Sequence, residues 1–319
     1  MAGMAQPMKK HTIQGNGIPM TQSGQQQDVQ WTIGKLLNWT SEYFKGKGLE
    51  DALLSAQLLL AKVLGCSKVE LYLRFDQLVE QTKRDEFRQL VKRASEGEPV
   101  AYLIGHKEFF SLDFEVNSSV LIPRPETELL VQWLIRKIRS EYADREQAIR
   151  ILDIGTGSGC IAIALAKNLS KATEIIAVDK SQAALETAKK NAAKHAMADR
   201  ISFRESDLFS GVGEEARFDF IVSNPPYVTE EDYGNLPKHI KEYEPRDALV
   251  AGEDGLAVIR EIVSRGNNFL RSGGYLAMEI GYNQREAVAE LLADNGYEEI
   301  IFELDAANIA RIAIGRTKE

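Results

Sequence analysis

The stretch that decides the fold of this chain is Ile151-Leu152-Asp153-Ile154-Gly155-Thr156-Gly157-Ser158-Gly159-Cys160. An apolar run of strand length ends in a loop with glycine at alternate positions, and an apolar helical pattern follows over residues 160–169. Glycine lets the backbone turn sharply and lets a ligand touch the main chain, while the next helix offers its positively polarised N-terminus. The spacing is G-x-G-x-G and not the G-x-G-x-x-G of dinucleotide-binding folds, so the loop predicts a ligand site without naming the ligand.

Strand and helix patterns alternate from this turn to the C-terminus. Amphipathic helical patterns separate the apolar runs, and one of these helices begins after the N-cap residue Ser181 and reaches about His195. The predicted strands span residues 151–154, 175–178, 201–203, 220–222, 275–280, 300–304 and 309–314. Repeated βα units predict an α/β fold with a doubly wound, mostly parallel seven-stranded sheet. The last two strands have no helix between them and predict an antiparallel hairpin at one edge.

The chain before the first strand is expected to form three further parts. Residues 1–27 lack hydrophobic periodicity and predict a flexible tail. Residues 28–97 carry four apolar stripes at helical spacing, which predict a small N-terminal helical bundle. Residues 98–119 predict a β-hairpin linker, because the segments 97–105 and 107–116 show alternation and aromatic residues around a Gly-His break. The α/β domain then spans residues 120–319.

The composition narrows the possible functions. The net charge of −8 argues against a surface dedicated to duplex DNA, because such surfaces neutralise phosphates with Lys and Arg. Cys66 and Cys160 lie far apart and fit a reducing cytoplasm, and the four histidines show no metal-ligand spacing. No apolar run approaches the roughly 20 residues of a membrane span. We therefore expect a soluble, cytoplasmic protein with no metal, no membrane association and no stable nucleic-acid binding; a monomer is expected, although the sequence leaves the oligomeric state open.

Polar residues follow the second, third and fourth strands of the predicted sheet. Asp179 stands about twenty residues after the glycine loop, where nucleotide-binding sheets place an acid on ribose hydroxyls. Asp207 follows the third strand and can accept a hydrogen bond from an adenine amino group, and Asn224 follows the fourth. Ligands of doubly wound sheets bind along the carboxyl edge of the strands. The glycine loop and these three residues are therefore expected to line one site.

The fourth strand stops at Asn224-Pro225-Pro226-Tyr227. A proline has no N–H to donate and restricts the residue before it, so this loop is stiff. Taken alone, the tetrapeptide is equally typical of a strand terminator and of a clamp for a planar NH2 group. Upstream, Arg124 stands between two prolines and is either a structural ion-pair partner or an anion contact. We favour a site-lining role for Arg124, because its segment leads into the α/β domain.

Six segments together carry a family pattern: residues 98–102, 122–128, 155–159, 223–227, 243–246 and 252–255. They resemble the protein-(glutamine-N5) methyltransferases that modify peptide chain release factors, a family of class I S-adenosylmethionine-dependent methyltransferases. The resemblance runs from about Leu53 to Gly315. It implies that release factors are the substrate, that the helical domain helps to dock them, and that the substrate glutamine lies against Asn224, Pro225, Pro226 and Tyr227. It implies that S-adenosylmethionine is held by Gly155, Thr156, Gly157, Ser158, Gly159, Asp179, Leu208 and Asn224, to which the strand positions add Asp207.

Two places depart from the family pattern. Leu208 stands where some members carry an aromatic residue, which leaves the stacking partner of the adenine undefined. Residues 306–311 read Ala-Ala-Asn-Ile-Ala-Arg where the family usually has a Gly-Arg-Asp-like run. This second departure affects the final hairpin and not the site.

An amide nitrogen is a poor nucleophile, because its lone pair is delocalised into the carbonyl. It needs acceptors for its two N–H groups, and we assign these roles to the Asn224 side-chain oxygen and the Pro225 backbone carbonyl, with Tyr227 packed on the amide plane. The rate would then come mainly from positioning and from acceptors already in place.

Other functions fit parts of the sequence. An adenine-N6 nucleic-acid methyltransferase would share the Asn-Pro-Pro-Tyr chemistry, but the net charge and the absence of an added recognition domain disfavour it. The glycine spacing and the absence of an obvious proton donor after the fourth strand disfavour an NAD-dependent dehydrogenase. The intact Asn224 and glycine loop disfavour a non-catalytic binding module. The polar segments 244–246 and 252–255 fit a lid and a solvated connector equally well.

Overall fold

The computed structural model describes residues 30–142, 145–170 and 172–319. The tail predicted over residues 1–27 lies outside these ranges. The described chain opens with the helices α1 (Ile33–Gly46), α2 (Ala52–Leu64), α3 (Lys68–Leu73), α4 (Gln81–Ser95) and α5 (Val100–Ile104).

Local signals set the ends of these helices, and their apolar faces form a core of their own. The Thr32 side chain accepts a hydrogen bond from the Lys35 N–H at the start of α1, and Ser67 and Glu70 form a capping box at the start of α3. Gly65 ends α2 in the left-handed conformation. The fully buried members of this core include Leu37, Phe44, Ala56, Leu59, Leu60 and Leu71. The predicted helical bundle is therefore present.

The hairpin occupies a shorter stretch than the sequence predicts. Residues 100–104 form α5, and only β1 (His106–Phe109) and β2 (Leu112–Glu115) pair antiparallel. The prediction of extended structure over 97–105 was wrong, because Pro99 precedes a helical turn that buries Leu103 and Ile104 in the helical core. The hairpin turn at Phe110-Ser111 has positive φ at both residues, a geometry that normally calls for Asn-Gly, so no turn signal marks it.

The rest of the described chain alternates helices and strands. In order, its elements are α6 (Thr127–Glu141), β3 (Ile149–Ile154), α7 (Cys160–Asn168), β4 (Thr173–Asp179), α8 (Gln182–Lys194), β5 (Ile201–Glu205), β6 (Phe218–Ser223), α9 (Glu230–Asn235), α10 (Lys238–Lys241), α11 (Ala257–Gly266), β7 (Leu270–Glu279), α12 (Arg285–Asp294), β8 (Glu298–Leu304) and β9 (Ala310–Arg316).

Strands β3 to β9 form one sheet with the order β5-β4-β3-β6-β7-β9-β8. The pairs are parallel from β5 to β7, while β9 runs antiparallel to both β7 and β8. The predicted seven-stranded, mostly parallel sheet with a hairpin at one edge is thus confirmed. Alternate residues of its strands enter two apolar layers: Ile151 and Phe220 pack with α6 and α7 on one face, and Leu152 and Ile221 pack with α11 and α12 on the other.

The strand order places a crevice beside β3. The chain winds from β3 outward to β4 and β5, and then returns to the other side of β3 with β6. The last residues of β3 and β6, Ile154 and Ser223, are paired, and the Ser223 hydroxyl donates to the Ile154 carbonyl at 2.8 Å. Such a switch in winding direction is where open α/β sheets bind ligands. The glycine loop and the Asn-Pro-Pro-Tyr loop leave the sheet at this point.

Candidate active site

A cavity of about 520 Å³ lies at the carboxyl ends of β3, β4, β5 and β6. This volume is typical of small-molecule sites. The predicted site residues that line it are Gly155, Thr156, Gly157, Ser158, Asp179, Asp207, Leu208, Asn224 and Pro226. Gly159, Pro225, Tyr227 and Arg124 lie outside its lining. The sheet edge therefore brings most of the predicted residues together.

The glycine loop leaves room for a ligand against its backbone. Gly155 has φ +69°, and a Cβ built on it would meet no atom within 4 Å, so a side chain there would fill open space beside the loop. Two hydrogen bonds stabilise the loop: the Thr156 hydroxyl donates to Asp153 Oδ2 at 2.7 Å, and the Gly159 N–H donates to the Thr156 carbonyl at 2.8 Å. Burial raises the pKa of Asp153 to about 7.

Asn191 is a support for this loop that the sequence did not reveal. It is fully buried in α8, and its Nδ2 donates to the carbonyls of Ser158 at 2.9 Å and Glu115 at 3.0 Å. Its Oδ1 accepts from the Glu115 N–H at 2.7 Å. One side-chain amide thus ties the hairpin strand β2 to the glycine loop.

Asp179 is fixed at the end of β4 by two backbone N–H groups. Its Oδ2 accepts from Gly157 and its Oδ1 from Ser181, each at 2.9 Å. Burial raises the pKa of this carboxyl, and the two N–H donors oppose the rise. A carboxylate has about four acceptor sites, so Asp179 keeps acceptor capacity for hydroxyl groups of a ligand in the cavity.

Residues that follow β5 and residues that follow α10 form the remaining walls of the cavity. Leu208, with φ +49°, packs partly buried against the apolar layer that contains Ile154, and Val258 of α11 packs against the same layer. Asp207 stands beside Leu208 in the lining. Residues 245–248 also line the cavity, and the Lys180 ammonium contacts the Asp247 carboxylate across it at 2.9 Å. Part of the polar segment 244–246 therefore lines the cavity.

Arg124 forms an ion pair with the buried carboxylate of Glu244. Its Nη2 lies 2.6 Å from Glu244 Oε1, and Glu244 Oε2 accepts from the Ile122 N–H at 3.2 Å. The Glu244 side chain is buried, so the pair anchors the segment that begins at Glu244 to residues 122–124. The expected site-lining role of Arg124 is not what the geometry favours, because its guanidinium is committed to this ion pair.

A hydrogen-bonded chain runs behind the Asn-Pro-Pro-Tyr loop. Asn224 Nδ2 donates to Thr127 Oγ1 at 3.0 Å, and the Thr127 hydroxyl donates to Glu279 Oε2 at 2.5 Å. The Tyr227 hydroxyl donates to Glu279 Oε1 at 3.2 Å. Sequence reasoning placed Thr127 only as a possible helix start and missed Glu279, although an acidic residue at the end of an otherwise apolar strand was an available signal.

The loop is also held through its backbone. The Gln284 side chain donates from Nε2 to the carbonyls of Tyr227 and Gly255, each at 3.1 Å. A Cβ on Gly255 would lie 2.4 Å from the Tyr227 carbonyl oxygen, so only glycine fits there. This contact gives a structural reason for segment 252–255 to occur together with the Asn-Pro-Pro-Tyr loop in the family pattern. These contacts fix the backbone of the loop that carries Asn224, Pro225 and Tyr227.

Glu279 is a buried carboxyl whose ionisation is costly. Burial raises its pKa to about 7, and the hydrogen bonds from Thr127 and Tyr227 oppose the rise. The carboxyl of Glu126 raises this pKa further, and the guanidinium of Arg311 lowers it. In turn, burial and the nearby charge of Glu279 raise the pKa of Tyr227, which keeps its hydroxyl protonated as a donor.

Glu279→Gln is expected to change the pH dependence of stability. The folded-state pKa of about 7 lies above the ordinary 4.5, so the stability linked to the neutral carboxyl is present below pH 4.5 and is lost as pH rises through 7. Glutamine cannot ionise, so the free energy of unfolding of the variant should rise relative to wild type by about 3 kcal/mol between pH 4.5 and about pH 8. Denaturant unfolding across this range measures the difference. A difference that does not vary with pH would contradict the expectation.

Within the described ranges, no group of three or more His, Cys, Asp and Glu side chains is placed to hold a metal ion. Likewise, none of the helices in the described part is both long and apolar enough to cross a membrane.

Two family models match separate parts of the chain. The family model described as the PrmC N-terminal domain matches residues 35–105, and the one described as the methyltransferase small domain matches residues 126–240. Among solved structures, the human Mettl16 catalytic domain in complex with MAT2A 3′UTR hairpin 6 is similar with a TM-score of 0.53. It is 19% identical, and the match covers 72% of this chain and 82% of that one, so this likeness concerns the fold alone.

Two curated relatives are similar over nearly their whole length. The release factor glutamine methyltransferase of Rhodopirellula baltica is 43% identical over 287 residues, which cover 89% of this chain and 96% of the relative. That of Geobacter sulfurreducens is 41% identical over 286 residues, which cover 90% and 97%. The resemblance recognised in the motifs is thus confirmed: the chain belongs to the release factor glutamine methyltransferase family.

Proposed function

We propose that this protein methylates the side-chain amide nitrogen of a glutamine in peptide chain release factors, with S-adenosylmethionine as the methyl donor. The observation that carries the proposal is the position of Asn224. It lines the cavity beside the glycine loop, and it begins the Asn-Pro-Pro-Tyr loop. Asn224 therefore belongs both to the proposed methyl-donor site and to the proposed clamp for a planar NH2 group.

The residues around the cavity fit S-adenosylmethionine, which when bound supplies an electrophilic methyl group on a sulfonium. Asp179 has acceptor capacity for the ribose hydroxyls, and Asp207 for the adenine amino group. The apolar side chains of Leu208 and Val258 enclose the adenine faces. The open backbone at Gly155 leaves room for the methionine part, whose carboxylate the N-terminus of α7 favours.

The substrate amide is held by acceptors on the Asn-Pro-Pro-Tyr loop. The Asn224 side-chain oxygen and the Pro225 carbonyl accept its two N–H groups, which turns the nitrogen lone pair towards the donor methyl. The new N–C bond forms as the S–C bond of the donor methyl group breaks, and one of the two amide protons is released to solvent when the methylated product leaves the site. The Tyr227 ring, whose hydroxyl is bonded to Glu279, packs on the amide plane and excludes water. Because these groups are already fixed, they need little reorganisation during the reaction.

Methyl-labelled S-adenosylmethionine tests this function directly. The protein is incubated with it and, separately, with an unmodified release factor, DNA and RNA, and mass spectrometry locates the label. We expect the label on one glutamine side chain of the release factor. Label on adenine, or an unlabelled release factor, would contradict the proposal. The Asn224→Ala protein serves as the control for non-enzymatic transfer.

We further propose how the domains and the cell context serve this activity. The N-terminal helical domain over residues 28–97 docks the release factor, the hairpin segment over 98–119 links it to the methyltransferase domain over 120–319, and the protein acts as a monomer. A substrate that works on ribosomes supports a cytoplasmic location. The net charge of −8 supports a protein substrate over nucleic acid.

Leu73→Asp is expected to raise the KM for the release factor about fivefold or more and to leave kcat unchanged. Helix α3 exposes three apolar side chains, Val69, Tyr72 and Leu73, of which Leu73 is 78% exposed. The change therefore alters a docking surface without opening the core. Steady-state kinetics with varied release factor measure it, and an unchanged KM would contradict docking through this face.

A further inference from the structure

We propose that Thr127 and Glu279 are positioning residues for the methyl transfer, because together they hold the Asn224 side chain with its oxygen facing the substrate nitrogen. This inference rests on the proposed function for the identity of the substrate. Neither residue belongs to the glycine loop or to the Asn-Pro-Pro-Tyr loop: Thr127 acts through Asn224, and Glu279 acts through Thr127 and through Tyr227.

An asparagine side chain has two orientations of nearly equal shape, and only one of them presents the oxygen to a donor. The choice is made by what its other end contacts. Here Asn224 Nδ2 lies 3.0 Å from Thr127 Oγ1. A hydroxyl has one proton to donate, so the orientation of Asn224 depends on where Thr127 directs its proton.

Glu279 decides the direction of that proton. An ionised carboxylate accepts hydrogen bonds and donates none, and Glu279 Oε2 lies 2.5 Å from Thr127 Oγ1. The Thr127 proton is therefore committed to Glu279, and Thr127 can only accept from Asn224. A flipped Asn224 would set its oxygen against the lone pairs of Thr127, leaving two acceptors facing each other while the Thr127 proton stays bonded to Glu279.

The same carboxylate holds the other end of the loop. Tyr227 donates to Glu279 Oε1 at 3.2 Å, so Glu279 fixes the aromatic ring directly and the amide through Thr127. Thr127 is 2% exposed and Glu279 1% exposed, so both side chains are buried, and Thr127 lines the cavity beside Asn224. Glu279 on β7 thus fixes the orientation of both the Asn224 amide and the Tyr227 ring in the proposed amine clamp.

Protonation of Glu279 would reverse the donor–acceptor direction of the hydrogen bonds between Glu279, Thr127 and Asn224. A neutral carboxyl carries its own proton, which it can donate to Thr127, and Thr127 would then donate to the Asn224 oxygen. The groups that face Glu279 are Thr127 and Tyr227, the carboxyl of Glu126 and the guanidinium of Arg311. Because burial raises the pKa of Glu279 to about 7, kcat should fall as pH drops below about 7.

Matched substitutions separate this positioning role from a structural one. Thr127→Val removes the hydroxyl at constant shape and is expected to lower kcat about 10-fold, the effect of one net hydrogen bond. Thr127→Ser keeps the hydroxyl and should restore kcat to within about threefold of wild type. Glu279→Gln should lower kcat about as far as Thr127→Val and lose the fall in kcat below about pH 7. Binding of S-adenosylhomocysteine, measured by calorimetry, should change little in all three.

Two controls isolate the path through Asn224. In an Asn224→Ala background, Thr127→Val should have no further effect on kcat. Thr173→Val replaces a buried threonine on β4 whose hydroxyl has no hydrogen-bond partner among the described residues, and it should keep wild-type kcat. Equal losses in Thr127→Val and Thr127→Ser, a wild-type kcat in Thr127→Val, or additive effects with Asn224→Ala would overturn the inference.

Neutron diffraction on deuterium-exchanged crystals, kept above about pH 8 so that Glu279 is ionised, tests the orientation without any substrate. We expect deuterium on the Asn224 atom that faces Thr127, and the Thr127 deuterium directed at Glu279. A Thr127 deuterium directed at Asn224 would overturn the inference even if wild type methylates release factors. If wild type leaves the release factor unlabelled while the neutron result is as expected, the proposed function fails and the positioning of Asn224 stands.

Discussion

Replacement of Asn224 by alanine is expected to lower kcat by about 10²–10³, the usual effect of removing one preorganised polar group that acts in the transition state. In the proposed mechanism the amide oxygen is the acceptor that holds one substrate N–H group, and Thr127 does not replace it, because Thr127 faces the other end of the Asn224 amide. Single-turnover methyl transfer to the release factor, with saturating S-adenosylmethionine, measures the chemical step without product release.

Cofactor binding distinguishes a lost acceptor from a damaged cavity. Asn224 also lines the donor site, so the affinity for S-adenosylhomocysteine is measured in the same variant and is expected to fall by no more than a few-fold, about one neutral hydrogen bond. Asn168→Ala, at the end of α7, is the matched control, because among the described residues its side chain bonds to the Ala164 carbonyl of its own helix. Turnover of Asn224→Ala near the wild-type rate would contradict the clamp.

Replacement of Asp179 by alanine is expected to raise the Kd for S-adenosylmethionine about 100-fold. A hydrogen bond to a charged acceptor contributes about 1.5–3 kcal/mol, and each 1.4 kcal/mol is tenfold in Kd. The variant loses the proposed ribose contacts, and it leaves the Gly157 N–H without the acceptor that now fixes the glycine loop. Isothermal titration calorimetry measures the Kd without turnover.

Two further variants calibrate that result. Asp179→Asn keeps the shape and one acceptor oxygen, so its Kd should lie between those of wild type and Asp179→Ala. Asp199→Ala removes an exposed carboxylate near the start of β5 and should bind like wild type. At saturating S-adenosylmethionine, kcat of Asp179→Ala should stay within a few-fold of wild type. An unchanged Kd in Asp179→Ala would remove Asp179 from the donor site.

Several features of the fold and the site follow from local sequence. Strand and helix periodicity predicts the sheet, Ser181 predicts the start of α8, and prolines predict where β6 ends, because each signal depends on residues a few positions apart. The glycine loop and Asp179 predict a ligand site for the same reason, since the ends of successive strands are recognisable one by one. Parallel strands then bring these ends to one edge.

Other features depend on which distant segments meet. Thr127 and Glu279 are 152 positions apart, and Arg124 and Glu244 are 120 apart. In the sequence, Thr127 is typical of a helix start and Arg124 is equally an anion contact or an ion-pair partner. The hairpin turn at Phe110-Ser111 is likewise set by the packing of its strands and not by turn residues.

By itself, the sequence determined the sheet, the glycine loop and the family of the protein, because these depend on short-range patterns. Only the tertiary structure decided which way Asn224 faces, what Arg124 contacts and how the Asn-Pro-Pro-Tyr loop is held. Those outcomes depend on the packing of α6, β6 and β7 around one buried carboxyl. The physical reason is that a buried hydrogen bond depends on the distance and direction between its partners, which the fold alone defines.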